Sequence, residues 1–288
     1  MQQTRGPVGL FLAFLAAMPG LTAANYTFND FSNPAGITLA GDAALSSNRL
    51  RLTGAQENQL GAAWLNNRVN VQGGFVTTFQ FQMTDRGGYT PDWEPGVVND
   101  GADGFTFTIQ NAGQSALGLY ASGIGYYGLP NSLSIEFDTW NNKPSYCEPN
   151  GNHIAVQTLG LAENHPEHCA DPGGAFVNPT IGIATPSKDM SDGTVYDVMI
   201  TYLPGTLSVY FDNMSSPLLS VSVDLGQVLS LENGTDAYIG FTSSTGGAFE
   251  NHDIIRWSYN DVPEPGTMTL AGVVLIGLAL ARRQRPTP

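Results

Sequence analysis

The residues best suited to chemistry lie in Glu136-Phe-Asp-Thr-Trp-Asn-Asn142 and in Glu148-Pro-Asn-Gly-Asn-His153, which follows it. Three carboxylates, several side-chain amides and one imidazole fall within 18 positions. In a strand alternate residues share a face, so Glu136, Asp138 and Trp140 point one way while Phe137 and Thr139 point the other. Two carboxylates on one face repel unless something positive lies between them, and the chain has only 11 basic side chains to offer. A metal ion meets that need, which makes the segment a metal site first and a ligand site second. Asp138 could bridge two cations, with Glu136 and His153 on one and Asn142 on the other, and Glu148 is the second candidate bridge. Imidazole with carboxylates suits a transition ion such as Mn2+, whereas carboxylate, amide and backbone oxygens suit Ca2+. Read alone, the same residues also fit a solvated loop beside an edge strand.

Strands must position this segment. The chain has no sustained helical periodicity; short apolar or alternating runs rich in Val, Ile, Phe, Thr and Tyr are separated by Gly, Pro, Asn and Asp clusters. The clearest strands are 49–52, 74–83, 104–109, 132–138, 153–157, 195–202, 206–211, 218–223, 237–242 and 254–259. Leu203-Pro-Gly205 is a turn that joins two of them as a hairpin. Residues 223–229 are expected to hold a short helix. Long loops are expected at 85–99, 144–151 and 165–179, and loops of that length on an all-β scaffold are the usual carriers of function.

Both ends read as processing signals. Arg5, the apolar run Val8 to Ala17 and the small residues before Asn25 give residues 1–24 the form of a secretory signal peptide. Residues 263–288 open with Pro263-Glu-Pro265, continue in an apolar segment at about 268–281, and close with Arg282-Arg283. That segment is short for the roughly 20 residues of a membrane-spanning helix. The order of its three parts resembles the PEP-CTERM sorting signal of Gram-negative bacteria. The resemblance implies export, a transient inner-membrane anchor, handling by an exosortase and the secretion machinery, and an envelope or matrix rich in exopolysaccharide. Between the ends lies one body, residues 25–261, long enough for a single β-sandwich or barrel. It keeps seven of the basic residues and 24 of the 25 acidic ones, so its formal charge is near −17. Such a body repels nucleic acid and anionic membranes. Cys147 and Cys169 are the only cysteines, and in an oxidising compartment a disulfide between them is expected.

The ordered set Glu136, Asp138, Trp140, Asn142, Glu148-Pro149 and His153-Ile154 resembles the metal-binding segment of legume lectins and their bacterial L-type relatives. The likeness runs through nearly the whole body: Trp64-Leu-Asn-Asn67 to Phe75, Ala102-Asp-Gly-Phe105, Phe241 to Gly247 and His252 to Tyr259 look like other elements of that family. It implies an all-β fold, the legume-lectin or concanavalin-like jelly-roll sandwich. It further implies that Glu136 and His153 ligate the transition ion and that Asp138 and Glu148 bridge both ions. Asn142 and the Trp140 carbonyl would ligate calcium. For a glycan ligand it implies Asp103, following a cis peptide bond with Ala102, as hydroxyl acceptor, the Asn142 amide and a Trp140 ring face as contacts, and a backbone amide from the 111–118 loop, assigned to Gly113. Related lectins dimerise through sheet edges, which leaves a homodimer open. Two departures stand out: Glu148 occupies a position usually held by Asp, and the loop before it is one residue longer, with Cys147 inserted.

The expected function is a carbohydrate-binding protein that is not an enzyme. Two rivals bear on it: a matrix or adhesion protein whose lectin fold no longer binds sugar, and a glycoside hydrolase on the same framework. Retaining hydrolases need two carboxyls roughly 5–5.5 Å apart, and β-glucanase-like jelly rolls carry them as Glu-x-Asp-x-Glu. Here the third position is Trp140. His252 and Trp257 read as residues that pack or cap a strand, and His165 and His168 as residues of a polar loop, with a metal role as the lesser alternative.

Overall fold

The structure, a computed structural model, describes residues 25–89, 101–143, 145–170 and 177–262. The two end signals lie outside them. The described residues form sixteen strands: β1 (Asn25–Phe28), β2 (Ile37–Gly41), β3 (Ala44–Ser46), β4 (Arg49–Thr53), β5 (Leu60–Leu65), β6 (Val69–Asn70), β7 (Phe75–Gly88), β8 (Gly104–Gln110), β9 (Ser132–Asp138), β10 (His153–Thr158), β11 (Thr180–Ala184), β12 (Tyr196–Leu203), β13 (Gly205–Phe211), β14 (Leu219–Val223), β15 (Asp236–Ser244) and β16 (Ala248–Asp261). They make two antiparallel sheets. One runs β14-β13-β12-β7-β16-β4-β3, with β1 also on β16; the other runs β11-β10-β9-β8-β15-β5-β2, with β6 on β15.

The first sheet is wet on one side, and its strands show it. Tyr196 to Tyr202 alternate between buried and half-buried positions, as expected of a sheet with one face on the core. The second sheet differs: every residue of β8, β9 and β10 is buried. Its inner face meets the core. Its outer face lies under two loops, 111–131 and 159–170, where Trp64, Ile124, Tyr126 and Leu129 form a small core of their own. Polar side chains on that outer face are therefore cut off from water.

Aromatic rings dominate the space between the sheets. Phe105 and Phe137 are cross-strand partners and stack with centroids 4.7 Å apart; Phe79 meets Phe105, Phe137 and Phe241 edge-on. Such pairs add about 0.5–1.5 kcal/mol each beyond the area they bury. Trp257 belongs to this core and donates its indole N–H to Thr77 Oγ1 at 2.9 Å.

The expected strands, the hairpin at residues 203–205 and the short helix are present, the last as α1 (Leu225–Val228), N-capped by the Asp224 carboxylate. The first four residues of the loop expected at 85–99 are strand, and residues 90–99 lie outside the described ones. β7 continues to Gly88 because Asp85-Arg86-Gly-Gly88 lies along the first part of β16, and Asn251 of that strand donates to Asp85 at 2.7 Å. Polar composition reads as loop, and pairing with a distant strand overrides it.

Candidate functional site

β9 is the centre of the site. In its antiparallel pairings Asp138 lies opposite Gly104 on β8 and His153 on β10, and Glu136 lies opposite Thr106 and Ala155. Phe137 faces the core, so the strand period sends Glu136 and Asp138 to the loop-covered outer face. Gly104 allows this close pairing: its φ is +120°, and a Cβ there would come within 2.2 Å of the Phe137 carbonyl oxygen.

Glu136 is fully buried and surrounded by donors. Its Oε2 accepts from the Tyr126 hydroxyl at 2.7 Å and its Oε1 from Gln157 Nε2 at 3.0 Å. Two imidazoles approach the same Oε1: His168 Nε2 at 3.2 Å and His153 Nε2 at 3.6 Å. Burial works against ionisation of Glu136, yet the hydrogen bonds from His153 and His168 outweigh it and hold the carboxyl well below its ordinary range. Tyr126 moves the other way, because burial and the Glu136 charge keep its phenol protonated as a donor.

The two Nε2 atoms stand 3.1 Å from each other. At that distance one ring nitrogen donates to the other, or both lone pairs can turn toward a shared cation. His153 Nδ1 is 2.8 Å from the Asn150 carbonyl, which accepts only from an N–H, so in the neutral ring Nε2 carries the lone pair, and in the charged ring it donates toward Glu136. Glu136, His153 and His168 each offer one donor atom, all within 4.8 Å of one another. His168 was read from sequence as a residue of a polar loop. It does lie in a loop, and the Cys147–Cys169 disulfide and a hydrogen bond from the His168 amide to the Tyr146 carbonyl (2.9 Å) bring that loop onto the site.

Asp138 and Glu148 are also buried. Burial, then the charges of Glu148 and Glu136, push the Asp138 carboxyl well above its ordinary range; it accepts one hydrogen bond, from the Trp140 amide at 2.8 Å. Burial is likewise the largest cause at Glu148, with the Glu136 and Asp103 charges adding, and its carboxyl is pushed up to about 9 against the pull of a hydrogen bond from the Asn142 amide. Several acids thus crowd a region in which no arginine or lysine is buried among the described residues.

Beside this cluster opens a cavity of about 210 Å³ whose lining includes Asp103, Trp140, Asn142, Tyr89, Ser122 and Gly246. Asp103 follows a cis peptide bond with Ala102. Its backbone is fixed on both sides: its amide donates to the Ser244 carbonyl and its carbonyl accepts from the Thr139 amide, each at 3.1 Å. Two oxygens lining the cavity, Asp103 Oδ2 and Asn142 Oδ1, are buried with no hydrogen-bond partner. A buried acceptor left unpaired costs about 1–3 kcal/mol, so the cavity is built to receive donors or a cation. Trp140 is 9% exposed; its ring lies 6.3 Å from that of Tyr89, at the cavity wall.

Asp103, Trp140 and Asn142 therefore meet in one place, and Gly113 does not join them. The Gly113 amide donates to Gln110 Oε1 and its carbonyl accepts from Gln110 Nε2, and the cavity lining draws instead on Ala121, Ser122, Gly246 and Gly247. Sequence reading also missed Glu250. It is fully buried, accepts from Thr139 and Ser191 hydroxyls at 2.8 and 2.9 Å, and lies 3.4 Å from His252 Nε2. Burial, then the Glu250 charge, drives the Asp103 carboxyl well above its usual range. Glu250 on β16 gave little signal, because nothing in its spacing says that it reaches Gly101 and Asp103, just ahead of β8.

Comparison with known proteins accords with this architecture. Residues 26–257 match the family described as the legume lectin beta-barrel domain, and residues 261–284 match the PEP-CTERM protein-sorting motif. Lectin DB58 of Vigna unguiculata subsp. cylindrica is 25% identical over 90% of this chain and 91% of its own length. Among solved structures, a lectin from Bauhinia forficata in complex with GalNAc superposes with a TM-score of 0.63 at 20% identity, covering 84% of this chain and 99% of that one. The exoplasmic/lumenal domain of VIP36 in a Ca2+/Man-bound form reaches 0.57 at 18% identity, covering 79% and 83%.

Proposed function

The chain belongs to the legume lectin domain family and carries a PEP-CTERM sorting motif, and from that premise we propose that it is an exported, metal-dependent carbohydrate-binding protein of the cell envelope or extracellular matrix of a Gram-negative bacterium. The observation that carries the reading is the pair of unpartnered acceptors, Asp103 Oδ2 and Asn142 Oδ1, in one cavity beside a buried cluster of acids.

The residues fit a pair of cations. Asp138 and Glu148 are acids that burial keeps from ionising, and Asn142 Oδ1 is an acceptor without a donor. Asp138, Glu148, Asn142 and the Trp140 carbonyl would hold Ca2+, the all-oxygen set that a hard ion takes. Glu136, Asp138 and His153 would hold Mn2+ or another transition ion. When bound, the ions neutralise the cluster and fix the 139–152 loop. Asp103 then accepts from sugar hydroxyls, the Asn142 amide N–H donates to one, and the Trp140 ring covers a C–H face. The ligand is a glycan or exopolysaccharide, delivered to the same compartment as the exported chain. The Glu136 carboxylate is committed to His153 and His168, which supports binding without hydrolysis.

A glycan array probed with and without EDTA tests the reading. Binding should vanish with the chelator, return on addition of Ca2+ and Mn2+, and be absent in Asp103→Ala. Binding that is indifferent to both changes would point to a matrix protein with a lectin fold, and turnover of a β-glucan that is lost in Glu136→Gln would show an enzyme.

A further inference from the structure

We propose that His168 is a further ligand of the transition-ion position, delivered by the Cys147–Cys169 disulfide, and that this position accordingly selects an ion of the zinc class over manganese. The inference rests on the metal-dependent reading and names the ion and the ligand that reading leaves open.

Three observations carry it. The first is distance. Glu136 Oε1 to His168 Nε2, Glu136 Oε1 to His153 Nε2, and Nε2 to Nε2 measure 3.2, 3.6 and 3.1 Å. Donors sharing one ion at bond lengths of roughly 2.0–2.2 Å stand about 3–3.5 Å apart. The second is the support behind each donor. His153 Nδ1 lies against the Asn150 carbonyl, and His168 Nδ1 lies 3.1 Å from Thr180 Oγ1 and 3.3 Å from Gln157 Nε2; Thr180 donates its own proton to Gln157 Oε1, which leaves its oxygen able to accept from the ring at the shorter contact. Gln157 in turn donates to Glu136. Partners of this kind fix which ring nitrogen faces a metal. The third is tethering. His168 sits on a loop outside any strand, and Cys169 beside it is bonded to Cys147, itself beside Glu148. One covalent link thus joins the loop that supplies His168 to the loop that supplies Glu148.

Ion choice follows from the donors. Manganese, like calcium and magnesium, suits carboxylate, carbonyl and water oxygens, while imidazole suits zinc, copper and nickel, whose affinities also lie higher in the divalent series. A second imidazole moves the site toward that group. Neither His165, which lies on the far side of Glu167 from His168 in sequence, nor His252, held against Glu250, is needed for this.

The test titrates the full chain, freed of metal by chelation, with Zn2+, Co2+, Mn2+ and Ca2+ separately by calorimetry. Zn2+ and Co2+ should bind at least about tenfold more tightly than Mn2+. His168→Gln should weaken Zn2+ roughly 10- to 100-fold, the range seen when a metal site loses one supporting contact, and leave Ca2+ unchanged. The double variant Cys147→Ser/Cys169→Ser should weaken Zn2+ in the same direction. In the unaltered chain, stoichiometric Zn2+ should shift the imidazole NMR resonances of His153 and His168 together, a readout that needs no variant to fold. Zn2+ affinity that survives His168→Gln and falls in Glu136→Gln, or a shift confined to His153, would overturn the role of His168 while leaving the metal reading intact. Mn2+ binding as tight as Zn2+ would overturn the selectivity. A chain that binds none of the four ions would sink the metal reading itself.

Discussion

Replacing Asp103 by Asn should cost ligand affinity and raise the stability of the metal-free protein. Asp103 is 4% exposed, its Oδ2 has no hydrogen-bond partner, and the Glu250 charge lies nearby. Burial and Glu250 raise its folded-state pKa, so between the unfolded and folded values the native state holds a proton that the unfolded state has released. Stability therefore falls as pH rises through that window, and the loss is complete above the folded value. Asn cannot ionise and removes this loss. In EDTA the variant should melt higher than the parent at neutral pH, with a gap that widens from pH 4 upward. Binding goes the other way. A hydrogen bond to a charged acceptor is worth about 1.5–3 kcal/mol, so losing one weakens a sugar roughly 10- to 150-fold. Differential scanning calorimetry across pH in EDTA, with calorimetric titration of a glycan hit in Ca2+ and Mn2+, measures both. A variant that binds like the parent, or whose metal-free melting point is lower at every pH, would refute the reasoning.

Glu148 supplies a second pH test. With its carboxyl pushed up to about 9 from an ordinary 4.5, the metal-free chain should lose stability as pH rises across that interval, while Ca2+ affinity rises because the ion needs the deprotonated acid; thermal melts with EDTA and with Ca2+ should diverge as the solution is made alkaline. Trp140→Ala should weaken glycan binding at least roughly tenfold, checked on the array that defines the ligand, and, because the ring is buried against Ala102 and Ala248, should also destabilise the fold by about 3–5 kcal/mol in urea unfolding. Phe137→Ala removes the ring stacked on Phe105 and should destabilise by about 3–5 kcal/mol in urea unfolding. Because Phe137 separates Glu136 from Asp138, the same variant should also weaken every ion.

Much of the fold was legible because its signals are local. Alternation in Tyr196 to Tyr202, turn chemistry at Leu203-Pro-Gly205 and the acidic pair either side of Phe137 each depend on neighbours in sequence. The same locality explains what was not legible. Asp85 to Gly88 read as loop because its polarity is visible and its pairing with β16 is not. The expected contact at Gly113 rests on resemblance alone, and no local signal shows that the backbone of this glycine is bonded to the Gln110 side-chain amide.

The sequence alone determined the all-β class, the acidic ligands on one face of β9, the two cysteines and the sorting motif, since strand period and residue type suffice for these. Only the tertiary structure decided that the ligand face is dry, because two loops fold over it and turn ordinary carboxylates into buried acids crowded together. It alone placed Glu250 near Asp103, across nearly 150 residues of chain, and it alone carried His168 to Glu136 through a disulfide. Charge interactions fall off with distance in space and deepen with burial, and neither quantity is written in the order of residues.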